Sequence, residues 1–493
     1  MSALENEVNK VMENAFEAFK IYKKVSAKKR SDFLRNIGEE IIKLGDELIE
    51  TVITETNLPE ARVRGELGRT VSQLTKFADL IDEGSWCEAT IDVSDLEREP
   101  LPKPDIRKLL VPLGPIVVFG AGNFPLAFSV AGGDTASALA GGNPVIVKGH
   151  PAHPKTGLLV ALAISKAVEK CGLPAGTFGF INDDGYKSGQ LLVKHPNTKG
   201  VGFTGSLNGG MALVKLAAER EDPIPVFAEM GSINPVVILE EALKEDCADI
   251  AAKLVASVNL GAGQFCTNPG LVITGKTAGY SGFVEALTKE VEATGGAQMF
   301  STSVLRNYTL NSNKMFSYSE VTILAQGTKE TGSENVPPVI ASVSASDFIQ
   351  NPRLHQEVFG PFSLLVVCDN KKELLAVVNS LKGQLTATVY ASETELPKNE
   401  ELIDAILEKC GRLLLNGVPT GVEVCAAMQH GGPFPAASDS RFTSVGVGAI
   451  KRFVRPVAFQ DFPEHLLPME LQNRNPLKIW RVVNNTLTKE SIE

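Results

Sequence analysis

From Val111 to about Val424 the chain alternates short apolar runs with amphipathic stretches, and few architectures accommodate that alternation. Pro115-Ile-Val-Val-Phe119 reads as a buried strand, closes on Gly120-Ala-Gly122, and leads into a helical run from Pro125 to about Ala140. Pro144-Val-Ile-Val-Lys148 repeats the pattern with a helix from Gly157 to Lys170. Strands at Thr177-Phe-Gly-Phe-Ile181 and Gly200-Val-Gly-Phe-Thr204 follow, separated by a helix ending near His195. A second series has strands at Val236–Leu239, Leu271–Thr274, Leu364–Val367 and Ala387–Tyr390. Strands that alternate with helices predict the α/β class and parallel, doubly wound sheets. Ligands of such sheets sit at the carboxyl ends of strands, so the turns after Phe119, Lys148 and Thr204 are the places to look.

The flanks differ. Residues 1–84 are helical in pattern, with Ser26 a candidate N-cap before the apolar stripe Phe33, Leu34, Ile37, Ile41. Gly84 to about Leu110 is charged and proline-bearing, as in a projecting hairpin or a surface loop. At 493 residues, two or three domains are expected. A net charge of −10, with no basic run longer than Lys28-Lys29-Arg30, argues against nucleic acid as a partner. Seven cysteines without a CxxC pair suit a reducing compartment, and no apolar stretch approaches a membrane span, so the chain reads as cytoplasmic.

Four segments carry candidate chemistry. Gly120-Ala-Gly-Asn-Phe-Pro125 begins like a dinucleotide fingerprint, but Pro125 replaces the third glycine; a tight turn with Asn123 capping a helix fits equally. In Phe203-Thr-Gly205-Ser206-Leu-Asn-Gly-Gly210, two glycines bracket a serine at an expected helix N-terminus, which suits a phosphate or a plain capped helix. Gly261-Ala-Gly-Gln-Phe-Cys266 places a thiol among small residues, either inert or open to a carbonyl. Val226-Phe-Ala-Glu229-Met-Gly231 holds a carboxylate in apolar surroundings, where burial would raise its pKa and make it a general base unless a cation pairs with it. No metal site is expected, since His150-Pro-Ala-His153 lacks the helical setting of a ligand pair.

Taken together, Asn123-Phe-Pro, Lys148 at a strand end, Phe203-Thr-Gly-Ser206, Glu229-Met-Gly231, Gly263-Gln-Phe-Cys266 and Glu357-Val-Phe-Gly-Pro361 resemble, in order and spacing, the aldehyde dehydrogenase superfamily. The resemblance implies two doubly wound domains and a small β oligomerisation arm. The cofactor domain would comprise 1–84 and 108–227 with a return segment near 440–460, the catalytic domain 228–439, and the arm and tail 85–107 and 461–493. It also implies Cys266 as nucleophile, Asn123 in the oxyanion hole and Glu229 as activator of the hydrolytic water. Lys148, His150, Gly205, Ser206, Gly210, Gly231, Glu357 and Phe359 would hold the dinucleotide. Pro151 stands where many NAD-dependent members carry a ribose-chelating Glu, so NADP is expected to be preferred, with NAD possible and with Lys148 and His150 supplying charge or donors.

Glu55-Thr-Asn-Leu-Pro-Glu-Ala-Arg62, Asn416-Gly-Val-Pro-Thr-Gly-Val-Glu-Val424 and Met428-Gln-His-Gly-Gly-Pro-Phe-Pro435 are similar to the α-ketoglutaric semialdehyde (2,5-dioxovalerate) dehydrogenase branch and its NADP-linked fatty-aldehyde relatives. Phe124, Ala127 and Phe128 would line the substrate mouth, with His430 and Arg441 candidates for its distal end. A fatty aldehyde is the alternative substrate. A CoA-acylating enzyme and a catalytically silent member are the alternatives of other classes. Assembly as a homodimer or homotetramer through the arm and tail is expected.

Overall fold

The computed structural model describes residues 2–329 and 334–492. Five parallel strands form the first sheet, in the order Phe178–Ile181, Val145–Lys148, Ile116–Phe119, Gly200–Thr204, Val226–Glu229. Its central strands are apolar without alternation because both faces are covered. Helix Ala3–Tyr22, opened by a capping box between Ser2 and Glu5, lays Val8, Met12 and Ala15 on Val117 and Ile146. The opposite face receives Ala27–Ile42 and Glu60–Glu83, with Phe33, Leu34, Ile37 and Phe77 in its core. Ser26 caps Ala27–Ile42 as expected, accepting from Lys29 N.

The second sheet has seven strands, ordered Thr322–Gln326, Val339–Ser344, Phe362–Cys368, Leu271–Gly275, Pro235–Ile238, Gln384–Tyr390, Cys410–Leu415. Only the edge strand Thr322–Gln326 runs antiparallel. A third sheet joins remote parts of the chain: Val454–Gln460, Ile106–Pro112, Thr90–Asp92, Arg481–Val483 and Thr486–Thr488. The segment after residue 440 returns to the first core through Ala449, Ile450 and Phe453, and Arg452 pairs with Asp134 there.

One expected element is shorter. Helix begins at Gly133, not Pro125, and residues 125–132 form turns. The reason lies outside the segment: Glu66 Oε1 accepts the N–H groups of both Leu126 and Ala127, and Gly120 packs against Ser129 so closely that a Cβ would lie 2.6 Å from its Cα. Among the described residues no helix is long and apolar enough to cross a membrane, and all seven cysteines are free.

Candidate active site

Glu229 ends the last strand of the first sheet, and Met230–Asn234 carries the chain into the second, so this carboxylate stands at the seam between them. Cys266 reaches the same seam from the other side, in the loop before Leu271–Gly275. That loop is shaped by three successive residues with positive φ, Gly261, Ala262 and Gly263. A Cβ on Gly263 would lie 2.3 Å from the carbonyl of Gly360, so glycine lets the 357–361 segment close on the cysteine loop. Asn268 Nδ2 donates to Gly360 O, and Asn234 Nδ2 donates to Cys266 O and to Asn268 O.

At the centre, Cys266 Sγ lies 3.4 Å from His430 Nε2, and the same nitrogen lies 3.1 Å from Glu229 Oε1. Ser444 Oγ donates to Glu229 Oε2. His430 and Glu229 are buried, whereas Cys266 is partly exposed. The ring is held from behind: His430 N donates to Thr443 Oγ1 and His430 O accepts from Ser444 N. Burial opposes charge on both groups, but their mutual attraction and hydrogen bonds prevail; Glu229 is held below the ordinary carboxylate range and His430 well above the imidazole range. Burial alone would raise the Glu229 pKa; the adjacent imidazole reverses the sign, as the alternative of a pairing cation allowed, with histidine in place of Lys or Arg. Burial pushes the thiols of Cys87 and Cys368 up to about 12 and that of Cys410 to about 11, leaving these three protonated at neutral pH.

Asn123 does not cap a helix. Its Nδ2 donates to Gln264 O at 3.0 Å, two residues before the cysteine, while its own carbonyl accepts from Arg62 Nη2 at 2.7 Å. Phe124 and Phe128 are partly exposed, meet edge-on at 5.1 Å, and Phe124 also meets Phe265. Ala127 is fully buried, with its N–H on Glu66 and its carbonyl on Gln73, so it supports the loop and does not line the mouth. Arg441 is not brought to the site: its side chain is 78% exposed and paired with Asp439. His430, read from sequence as a distal pocket residue, is instead the bridge between Cys266 and Glu229.

The dinucleotide candidates lie along the carboxyl ends of the first sheet. Gly205 and Ser206 form an exposed turn at the start of helix Leu207–Ala218, where Ser206 Oγ accepts from Gly209 N. Gly210 is buried, and a Cβ there would meet Met230 Sδ at 2.6 Å, so its contact is helix to strand. Lys148 ends its strand beside Asp183 and Asp184, and burial holds its pKa down. His150 stacks on His153 and is pushed down to about 3 by burial, then by His153 and Lys148; of the charge or donor expected of it, it offers the donor. Glu357 sits against Gly231, where a Cβ would lie 2.4 Å from Oε2, and burial lifts its pKa to about 7. Phe359 packs beside it on the first core. An exposed helix start, a strand-end lysine and a glycine floor under a carboxylate form one rim, which fits a dinucleotide laid across the sheet.

The profile of the Aldehyde dehydrogenase family matches residues 1–433. The chain is 45% identical over 485 residues to an alpha-ketoglutaric semialdehyde dehydrogenase of Acinetobacter baylyi, covering 98% of this chain and 92% of that one. It is 47% identical over 480 residues to alpha-ketoglutaric semialdehyde dehydrogenase 2 of Azospirillum brasilense, covering 97% and 91%. Among solved structures, a glyceraldehyde-3-phosphate dehydrogenase of Methanocaldococcus jannaschii complexed with NADP superposes with a TM-score of 0.78 at 19% identity, covering 92% of this chain and 94% of that one. A betaine aldehyde dehydrogenase of Staphylococcus aureus in complex with NAD+ gives 0.78 at 18% identity, covering 93% and 88%. At these identities the two structures speak for the fold.

Proposed function

The chain belongs to the aldehyde dehydrogenase family, and from that premise we propose that it oxidises 2,5-dioxovalerate to 2-oxoglutarate with NADP as preferred hydride acceptor. The observation that carries the chemistry is the contact of Cys266 Sγ and Glu229 Oε1 with one imidazole nitrogen of His430. The Cys266 sulfur attacks the aldehyde carbon beside the charged His430 ring, its proton leaving to solvent, and gives a thiohemiacetal. The Asn123 amide and the Cys266 N–H stabilise the developing alkoxide. A bound dinucleotide would supply the hydride acceptor for this oxidation, which leaves the substrate acyl group on Cys266 as a thioester. Glu229, with His430 beside it, then takes a proton from the attacking water, and the acid departs as the thiolate reforms. The balance is aldehyde, water and oxidised dinucleotide to acid, reduced dinucleotide and a proton.

Lys148, Gly205 and Ser206 would hold the adenosine and pyrophosphate, with His150 contributing hydrogen bonds only. Gly231, Glu357 and Phe359 would hold the nicotinamide end. Pro151 supports NADP, because a carboxylate there would repel a 2′-phosphate and Lys148 remains the nearby cation. Free cysteines support a cytoplasmic setting. The arm and tail, with Leu466 and Leu487 exposed, support assembly as a homo-oligomer.

Purified enzyme assayed with 2,5-dioxovalerate, hexanal and longer aldehydes tests the substrate; higher kcat/KM for the fatty aldehydes would refute it. A clear advantage for NAD over NADP in kcat/KM would refute the cofactor preference. Cys266→Ala is expected to abolish NADPH formation. Glu229→Gln is expected to keep a pre-steady-state burst of NADPH while turnover slows about 100-fold or more, because hydride transfer is spared and hydrolysis is not. Turnover of that variant at the wild-type rate would contradict the assigned role.

A further inference from the structure

The helix Glu60–Glu83 presents Arg62, Glu66, Arg69 and Gln73 at spacings of four, three and four, a single stripe facing the segment 123–128. Three of the four are spoken for. Arg62 donates to Asn123 O, Glu66 accepts from Leu126 and Ala127, and Gln73 donates to Ala127 O. Arg69 is the exception. Its guanidinium lies over the Phe128 ring, 5.3 Å from the centroid, with Nε and Nη2 buried and without a hydrogen-bond partner.

Those two atoms form one edge of the guanidinium, the edge that grips a carboxylate in bidentate fashion. The same protein shows the match twice. Arg107 holds Asp105 through Nε and Nη2 at 2.8 and 2.9 Å, and Arg441 holds Asp439 through the same two atoms. Neither acid near Arg69 occupies its fork: Glu66 Oε1 is fixed by backbone N–H groups, and Glu423 is exposed and paired with Lys76. Burial holds Arg69 below the ordinary guanidinium range, opposed by the Cys266 sulfur, Glu66, Glu423 and Glu229, so the fork lies within electrostatic reach of the reacting atom. Leaving an arginine edge desolvated and unpaired is costly unless something completes it.

We propose that Arg69 binds the distal carboxylate of the substrate through Nε and Nη2, with Phe128 as the apolar wall beneath the carbon chain, and so selects short aldehyde acids over plain aldehydes. The inference rests on the dioxovalerate reading and supplies the cation that reading requires. Arg62 cannot take this part, because one arm is committed to Asn123 O and its plane is held by Phe124 and Phe265.

The test is the ratio of kcat/KM for 2,5-dioxovalerate to that for pentanal, in wild type, Arg69→Met and Arg69→Lys, with thermal melts to confirm folding. The ratio is expected to fall on the order of 100-fold in Arg69→Met, mainly through KM, with Arg69→Lys between because it restores charge without the fork. A wild-type preference for the acid that survives in Arg69→Met overturns the role of Arg69 and leaves the proposed function standing. Equal losses on both substrates overturn it too, since Arg69 would then only brace the helix. A wild type that does not prefer the acid overturns the proposed function, and this inference with it.

Discussion

His430 receives both side-chain partners on one nitrogen, Nε2, while Nδ1 is buried without a partner. In a nucleophile–base–orienter triad the two ring nitrogens divide the work, one toward each neighbour. Here one site serves both, so the charged ring pairs with Glu229 while its positive charge faces the Cys266 sulfur. His430→Gln is therefore expected to slow kcat about 100-fold or more and to slow alkylation of Cys266 by iodoacetamide at neutral pH. Unchanged alkylation would mean the thiolate forms without the ring. The same change bears on stability. His430 is raised, so its contribution is full below the ordinary imidazole range and is lost as pH climbs through its raised value. Glu229 is lowered, so its contribution is full above the ordinary carboxylate range and is lost as pH falls through its depressed value. Removing the ring strands a buried carboxylate at a cost of about 3 kcal/mol or more, and the melting deficit should be largest near about pH 5–6 and shrink on both sides. Little of this was legible in the sequence. Cys266, Asn123 and Glu229 stood out through the family resemblance, but His430 lies 164 and 201 residues from its partners, and nothing local marks it as their bridge.

Helix Glu60–Glu83 sets the active-site loop by side chain, where a helix would ordinarily set itself by backbone. Glu66 Oε1 takes two N–H groups of the 123–128 segment, which is why the sequence pattern predicting helix from Pro125 fails there. Periodicity registers which residues are apolar; it is blind to a carboxylate sixty residues earlier that claims the helix's first donors. The other oxygen, Oε2, is buried and unpartnered, and burial, opposed by the two backbone N–H groups, leaves the carboxyl raised overall. Two substitutions separate these effects. Glu66→Gln keeps one oxygen for both N–H groups and removes the charge, so it should melt at or above wild type near neutral pH. That advantage should fade as pH falls toward the ordinary carboxylate range, where the wild-type group also becomes neutral. Glu66→Ala leaves two buried N–H groups unpaired and should cost about 2–4 kcal/mol, with kcat reduced because Asn123 and Phe124 lose their anchor. A Glu66→Gln variant as damaged as Glu66→Ala, by melting and kcat together, would show that charge and not the shared oxygen holds the loop.

The central strands of the two large sheets could be read from the sequence because they are largely apolar and, in the first sheet, end on glycine turns. The edge strands Val226–Glu229, Thr322–Gln326 and Cys410–Leu415, and Val339–Ser344 beside Thr322–Gln326, were not. The third sheet could not be assembled that way. Its strands come from residues 90–112 and from beyond 454, short and half-polar, and pairing Thr90–Asp92 with Arg481–Val483 spans nearly the whole chain. Buried Arg481 secures the tail by donating to the carbonyls of Gln472, Asn473 and Glu490. What this sheet leaves outside is apolar: Leu466, Met469, Trp480 and Leu487 are all exposed, and Thr486–Thr488 is an open edge. Open edges and exposed large apolar side chains are unfavourable on a lone protein and are ordinarily covered. A second copy of the chain is the expected cover, and wild-type protein should sediment as a dimer or tetramer. The double substitution Leu466→Lys and Leu487→Lys should shift it to monomer with both parallel sheets intact by circular dichroism. Leu310→Lys, at an equally exposed leucine on the helix Thr302–Phe316, should leave the sedimentation unchanged. A wild type that sediments as a monomer, or a double variant of unaltered size, would show that the arm and tail are not the assembly surface.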